Sequence, residues 1–153
     1  MRAVSRALGA AALALAALLT AAFAAAVVWT VVSRYGLGRT PIWAEELPRL
    51  LLVWAAFLGA GAAEARGGHL AAGLTPLFVR SARALRAIGT LRDLAVIAFA
   101  GFVVWATIDL VAIAGGGTTT ALALPAAAFY WSAAAGLALI GFAAAARLLS
   151  RDG

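Results

Sequence analysis

Long stretches without a charged side chain limit the folds open to this chain. Residues 7–33 carry no charge, and three later stretches are nearly as apolar. A helix needs about 20 apolar residues to cross a bilayer, and it satisfies its own backbone groups there. The sequence therefore predicts an all-α integral membrane protein, a single domain over residues 1–153, with four transmembrane helices. The predicted spans cover residues 7–33, 50–63, 94–114 and 121–146.

The first two predicted spans depart from the usual length of a transmembrane helix, one being longer and the other shorter. Arg2 and Arg6 before the first run resemble the start of a secretory signal, but the apolar core of a signal peptide is only about 7–15 residues long. We therefore expect an uncleaved first helix. The uncharged part of the second span would cover roughly 21 Å of a core about 30 Å thick. It can cross if Arg49 snorkels at one end and Glu64 and Arg66 lie at the other, or if the bilayer thins locally.

Composition excludes several classes of function. The chain is 65% hydrophobic, only 12% charged, and contains no cysteine and one histidine. Disulfides, thiolate metal sites and a haem held by two histidines are therefore excluded within this chain. The serines show no arrangement with a base and an orienting group. We expect no enzyme activity, no cofactor and no metal.

The distribution of arginine predicts the orientation in the membrane. All twelve basic residues are arginines, and nine of them fall on the side that holds both termini and the loop between spans two and three. Only Arg34, Arg39 and Arg49 fall on the other side. The positive-inside rule then places both termini in the cytoplasm. Since the arginines flank apolar segments, the positive charge indicates topology and no nucleic-acid partner.

The segment between spans two and three contains a predicted helix that does not cross the membrane. Residues 74–86 place apolar side chains at helical spacing with arginines between them, which predicts an amphipathic helix on the cytoplasmic membrane surface. Just before it, Arg66 and Gly67 precede the lone His69. A loop histidine after two glycines is more often a structural hydrogen bonder than a proton relay, and we interpret it so.

The segment TPIWAEELPR, residues 40–49, carries two of the six acidic residues of the chain. Its pattern predicts a short interfacial arm helix over residues 41–47 that bends at Pro48 into span two, with Trp43 at headgroup level. Glu45 and Glu46 precede Arg49 by four and three residues, which is salt-bridge spacing. Either the three charges neutralise one another at the membrane boundary, or one carboxylate remains available to a partner. We favour partner docking.

One acid, Asp109, falls well inside an apolar run. Carboxylates within membrane spans are candidates for function. Asp109 is near the outer end of span three, at the level of Arg34 and Arg39. We favour an ion pair with one of these arginines, or a protonated Asp109, over the binding of a coupling ion.

Four features, in this order, resemble the DctQ-type small membrane subunit of tripartite ATP-independent periplasmic (TRAP) transporters. The first is the segment from Ser33 to Ala60 with its Trp-x-Glu-Glu-Leu motif, in which Pro48 departs from the family pattern. The second is the turn Arg66-Gly67-Gly68-His69-Leu70, and the third is the basic linker. The fourth is the closing segment from Thr120, with a Leu-x-x-Pro pattern before the last helix.

The resemblance implies a small subunit in the bacterial inner membrane. Its partners would be the lipid bilayer, a large TRAP membrane subunit and a periplasmic solute receptor. The large subunit would carry an organic acid, captured by the receptor, using an ion gradient, while this chain acts as a scaffold. Two alternatives stay open at this point: the small subunit of a tripartite tricarboxylate transporter, and an autonomous four-helix exporter.

Overall fold

Four helices make up the fold of the computed structural model, which describes residues 2–66 and 81–150. They are α1 (Arg2–Gly36), α2 (Glu46–Ala65), α3 (Ala82–Ala114) and α4 (Ala127–Leu149). Each is long and apolar enough to cross a membrane. The described residues contain no β-strand, only one isolated bridge between Thr118 and Pro125. The prediction of a four-helix membrane protein is confirmed.

The helices differ in length relative to a bilayer. The 20 residues of α2 give a rise of roughly 30 Å, about the thickness of the hydrocarbon core. The 35 residues of α1 and the 33 of α3 rise roughly 50 Å, so these helices must tilt or project from the membrane. Within α1, the hydroxyls of Thr20 and Thr30 donate to the carbonyls of Ala16 and Ala26, which satisfies both in apolar surroundings.

The packing order of the helices differs from their order in the chain. Helix α1 packs on α2, α2 packs on α4, and α4 packs on α3, with a minor contact between α1 and α4. Helices α1 and α3 therefore form the two flanks, and α2 and α4 lie between them. The described residues form two helical hairpins, α1–α2 and α3–α4, which meet along α2 and α4.

Small side chains allow these helices to approach closely. A Cβ atom on Gly61 would lie 3.0 Å from the carbonyl oxygen of Gly136, and one on Gly136 would collide with the backbone of Phe57. A Cβ on Gly9 would lie 2.6 Å from the side chain of Ala65, where α1 meets α2. Because lipid is as apolar as the helices, packing of small residues is a main source of helix association in membranes.

The start of α2 differs from the prediction. Residues 42–45 form turns, the helix begins at Glu46, and the expected bend at Pro48 is wrong. Pro48 lies in the first helical turn, where the backbone N–H groups have no partner within the helix, so its missing N–H removes no helical hydrogen bond. It is buried, and the arm is a turn that continues into α2.

Two other boundaries also move. Span three begins at Ala82, twelve residues before the predicted start, with Ser81 as its N-cap. The last residues of the predicted linker helix, 82–86, are therefore the first turn of α3. Residues 74–80 of that predicted helix, together with Gly67 and His69, lie outside the described residues. Span four begins at Ala127, since residues 121–126 belong to the preceding loop.

Candidate functional site

The carboxylate of Glu46 holds the loop between α3 and α4. Its Oε1 accepts hydrogen bonds from the Thr120 hydroxyl at 3.1 Å and from the Ala121 N–H at 2.9 Å. Its Oε2 accepts the Leu122 N–H at 2.8 Å. Two backbone donors and one hydroxyl thus converge on a single carboxylate. Buried or interfacial N–H groups need such partners, so Glu46 ties the start of α2 to a loop more than 70 residues away in sequence.

The loop itself is a compact reversal of the chain. The N–H of Thr119 donates to the carbonyl of Leu124 at 2.8 Å, and the N–H of Ala126 donates to Gly117 at 2.8 Å. The hydroxyl of Thr119 accepts the Leu124 N–H at 3.1 Å. Ala123 adopts φ 50°, a left-handed conformation that is uncommon for residues other than glycine. The reversal presents the amides of Ala121 and Leu122 to Glu46.

A cleft of about 610 Å³ opens between this loop and the ends of α2 and α4. Glu45 and Arg49 line it from α2 and the preceding turn, Thr118 to Thr120 from the loop, and Phe129 and Tyr130 from α4. The Arg49 guanidinium lies 5.9 Å from the centre of the Phe129 ring, within range of a cation–π interaction. The cleft thus combines carboxylates, a guanidinium group, hydroxyls and aromatic rings.

The predicted salt bridges of this segment do not form. Arg49 makes no ion pair with Glu45 or Glu46 in the described part of the chain, and its guanidinium lies over Phe129 instead. Glu45 is exposed and makes no hydrogen bond there. Trp43 is half-buried, and its carbonyl accepts the N–H of Leu47 at 3.1 Å. Mutual neutralisation therefore does not explain the two acids, and docking through Glu45 and Arg49 stays a prediction.

The expected ion pair of Asp109 is also absent. Arg34, Arg39 and Asp109 are all exposed, and within residues 2–66 and 81–150 neither arginine pairs with the acid. The reason is the packing order: Arg34 lies in the last turn of α1 and Arg39 shortly after it, whereas Asp109 is on α3, the opposite flank. The backbone of Arg39 has a local role, since its N–H donates to the carbonyl of Ser33 at 3.1 Å next to Gly38 with φ 66°.

The opposite end of the bundle holds an ionic cluster that sequence reasoning missed. Arg147 of α4 donates to the Glu64 carboxylate and, at 3.0 Å, to the Glu64 carbonyl, and its Nη2 lies 3.4 Å from Asp93. Arg92 pairs with Asp93 at 2.7 Å. The side chain of Asp93 is fully buried and that of Glu64 nearly so. Helices α2, α3 and α4 are thereby joined at this end.

The cluster explains how α2 crosses with so short an uncharged run. Glu64 extends the helix at one end because Arg147 neutralises it, and Glu46 extends it at the other because the loop supplies donors. Arg66, by contrast, is exposed as the C-cap of α2, with its N–H donating to the Ala62 carbonyl at 3.2 Å. No group of three or more His, Cys, Asp and Glu side chains suited to a metal comes together within the described ranges.

The sequence from residue 23 to residue 152 matches the family model described as "Tripartite ATP-independent periplasmic transporters, DctQ component". The chain belongs to the DctQ family. The match covers most of the chain, from the middle of α1 through α4, and no curated protein sequence matches the chain significantly. This DctQ chain is a multi-pass membrane protein and a small component of a TRAP transporter.

Two segments that resemble the family in sequence meet in the structure of this DctQ protein. Glu46, from the Trp-x-Glu-Glu-Leu motif, contacts Thr120, Ala121 and Leu122 at the beginning of the segment with the Leu-x-x-Pro pattern. The first motif supplies the carboxylate, and the second segment supplies the N–H groups of Ala121 and Leu122 that donate to it. A loop of small residues before a proline was the signal from which this contact could have been found.

Proposed function

We propose that this DctQ protein is the scaffold subunit of a TRAP transporter and stands beside a large membrane subunit. That subunit would take up an organic acid, captured by a periplasmic receptor, at the expense of an ion gradient. The family match supports a TRAP component. The scaffold role rests on which side chains fill the contacts between the helices of this chain.

Alanine, glycine and leucine fill the contacts between the described helices. The buried residues there include Ala62, Ala100, Leu137 and Ala144. The buried hydroxyls of Thr107 and Ser132 donate to carbonyls of their own helices, at 2.8 and 2.6 Å. Solute sites in transporters are polar, lie near the middle of the membrane and use broken helices. The described helices offer no such site, which favours transport by the partner subunit and scaffolding by this one.

An exporter made of this chain alone would need an acid inside its bundle. Asp109 is exposed on a flank helix, and the buried acids Glu64 and Asp93 are at the end of the bundle, in ion pairs with arginine. This arrangement favours the scaffold over the exporter.

The cleft around Glu45 and Arg49 is our candidate docking surface for the other components. Glu45 is exposed and carries a charge that nothing in the described residues neutralises, next to a base and two aromatic side chains. A cation from the partner that met Glu45 in a desolvated interface would form a pair whose disruption costs roughly 2–5 kcal/mol. Glu46 would act indirectly, by holding the loop that forms one wall of the cleft.

The test is to purify the transporter with the variants Glu45→Gln and Glu46→Gln, separately and together, and to measure receptor-dependent uptake in proteoliposomes. Glu45→Gln removes only the charge of an exposed group, so this DctQ chain should insert normally yet retain the large subunit poorly or lose uptake. Glu46→Gln should instead loosen the loop, seen as faster hydrogen exchange at Ala121 and Leu122. A Glu45→Gln complex that assembles and transports like the parent would show that Glu45 only marks the membrane boundary.

We further propose that the protein lies in the bacterial inner membrane with both termini in the cytoplasm. The support is the division of arginines, nine on the side of the termini and three on the other. The cleft would then face the periplasm, the compartment of the receptor.

A further inference from the structure

The exposed face of α3 carries a charge in a place where lipid would be its only neighbour. The residues of α3 that are buried against the bundle include Asp93, Ala100 and Thr107, seven apart, and Gly141 of α4 approaches this seam at Ala100. Asp109 follows Thr107 by two residues, a rotation of about 200° around the helix. Its carboxylate therefore points almost directly away from the bundle.

Asp109 shares this face with large apolar side chains. The exposed positions at helical spacing on the outer side of α3 are 91, 94, 98, 102, 105, 109 and 113. Trp105 and Phe102, one and two turns before Asp109, are about 60% exposed, with ring centroids 6.0 Å apart. The face is thus a row of apolar and aromatic side chains with one acid near the C-terminal end of the helix.

The depth of Asp109 makes its exposure costly. It is sixteen residues beyond Asp93, which gives a rise of roughly 24 Å from the ionic cluster. A hydrocarbon core of about 30 Å that begins near the cluster still contains this position. A charged carboxylate in hydrocarbon is expensive, and an aspartate side chain is too short to snorkel far. No described residue donates to Asp109, so the compensation must come from outside this chain.

We infer that the outer face of α3 around Asp109 docks a transmembrane helix of the large membrane subunit, and that this helix presents a basic side chain to the carboxylate. The inference rests on the proposed function for the identity of the partner. The chemistry comes from charge complementarity: a buried carboxylate requires a cation, and Phe102 and Trp105 supply the apolar area around it.

The other flank and a second copy of the chain explain the carboxylate less well. Helix α1 has no charged side chain in residues 7–33, so its exposed face is compatible with lipid. In a second copy, the cations near this end of the bundle include Arg34 and Arg39, at the end of the α1 flank. Pairing α3 of one copy with α1 of the next is a head-to-tail contact, which continues into a filament unless a ring closes. A different chain meets the requirement with one contact.

The experiment uses photocrosslinking from two exposed tryptophans on opposite flanks. The photoreactive residue p-benzoylphenylalanine replaces Trp105 on α3, which is 60% exposed, or Trp29 on α1, which is 53% exposed. The full chain is co-expressed with the large membrane subunit and receptor of its own system, and adducts are identified by mass spectrometry. We expect an adduct with the large subunit from position 105, at least about tenfold stronger than from position 29.

Substitutions of Asp109 then test the charge. Asp109→Asn keeps the size and a hydrogen-bonding group but strands a cation on the partner, so the adduct from position 105 should fall by about tenfold or more. Asp109→Glu keeps the charge and should preserve most of the adduct from position 105. An adduct between two copies of this chain would overturn the inference, as would an adduct that Asp109→Asn leaves unchanged, which is the result expected of a neutral carboxyl.

Co-purification separates failure of the inference from failure of the proposed function. If the large subunit co-purifies with the parent chain but position 105 gives no protein adduct, the outer face of α3 contacts lipid and only this inference fails. If the large subunit does not co-purify with the parent chain at all, the scaffold function fails, and the inference with it.

Discussion

Arg147 provides the sharpest test of how the bundle is held together. In Arg147→Met the side chain keeps its apolar stem but loses the guanidinium that contacts Glu64 and Asp93. Both acids stay in place, Asp93 fully buried and Glu64 nearly so. Removing one partner of a buried ion pair costs about 3–5 kcal/mol. Because the side chain of Arg147 is 24% exposed and Arg92 still pairs with Asp93, we expect a loss near the lower end, about 3 kcal/mol.

The measurement is the free energy of unfolding by SDS titration in mixed micelles, followed by tryptophan fluorescence. Glu64→Gln in the Arg147→Met background removes the charge that has lost its partner and should recover part of the loss. The four proteins form a double-mutant cycle, for which we expect a coupling energy of about 1–3 kcal/mol. Arg83→Met is the matched control, since Arg83 is an exposed arginine of α3 outside the cluster, and it should change stability by no more than about 0.5 kcal/mol.

A loss of less than about 1 kcal/mol in Arg147→Met, the value of an exposed ion pair, would show that the buried cluster does not hold the helices together. The same effect of Glu64→Gln in the parent and in the Arg147→Met variant would show that the two side chains do not interact energetically.

Two further predictions concern packing and orientation. Gly136→Ala places a methyl group against the backbone of Phe57 and should cost about 1–3 kcal/mol of unfolding free energy in the same titration, whereas Gly101→Ala, which meets no atom within 4 Å, should cost nothing. Because the chain has no cysteine, Gly116→Cys and Gly153→Cys can each be labelled alone. A membrane-impermeant maleimide added to spheroplasts should label Cys at position 116 and not at 153, and the reverse result would invert the proposed orientation.

The number and type of helices could be predicted from the sequence, because charge-free runs of this length have few other solutions. The boundaries were less predictable where a residue acts through a distant partner. Pro48 looked like a bend because proline breaks the interior of a helix, but the helix starts only two residues before it. Glu64 looked like a limit to span two, because its neutralising partner Arg147 is 83 residues further along the chain.

The sequence could indicate where the candidate site lies, but not which contacts each of its residues makes. The rarity of acidic residues drew attention to Glu45 and Glu46, and the spacing suggested that Arg49 would neutralise them. Local spacing cannot reveal that a loop with free N–H groups competes for Glu46, or that an aromatic ring from α4 attracts Arg49. For the same reason, the sequence could place Asp109 within the third span, whereas the direction of its side chain required the packing order of the helices.

The fastening of α2 to the α3–α4 hairpin at both ends has a mechanical consequence. Glu46 grips the loop at one end, Arg147 grips Glu64 at the other, and the indole N–H of Trp54 donates to the carbonyl of Ala128 at 3.0 Å between them. If one hairpin were to swing against the other about the Gly61–Gly136 crossing, at least one of these fastenings would have to break at a cost in polar contacts that lipid cannot replace. The two hairpins should therefore move as one rigid body, relative to which another subunit can be displaced. Any elevator-like or rocking displacement in the assembled transporter would then have to occur outside this chain.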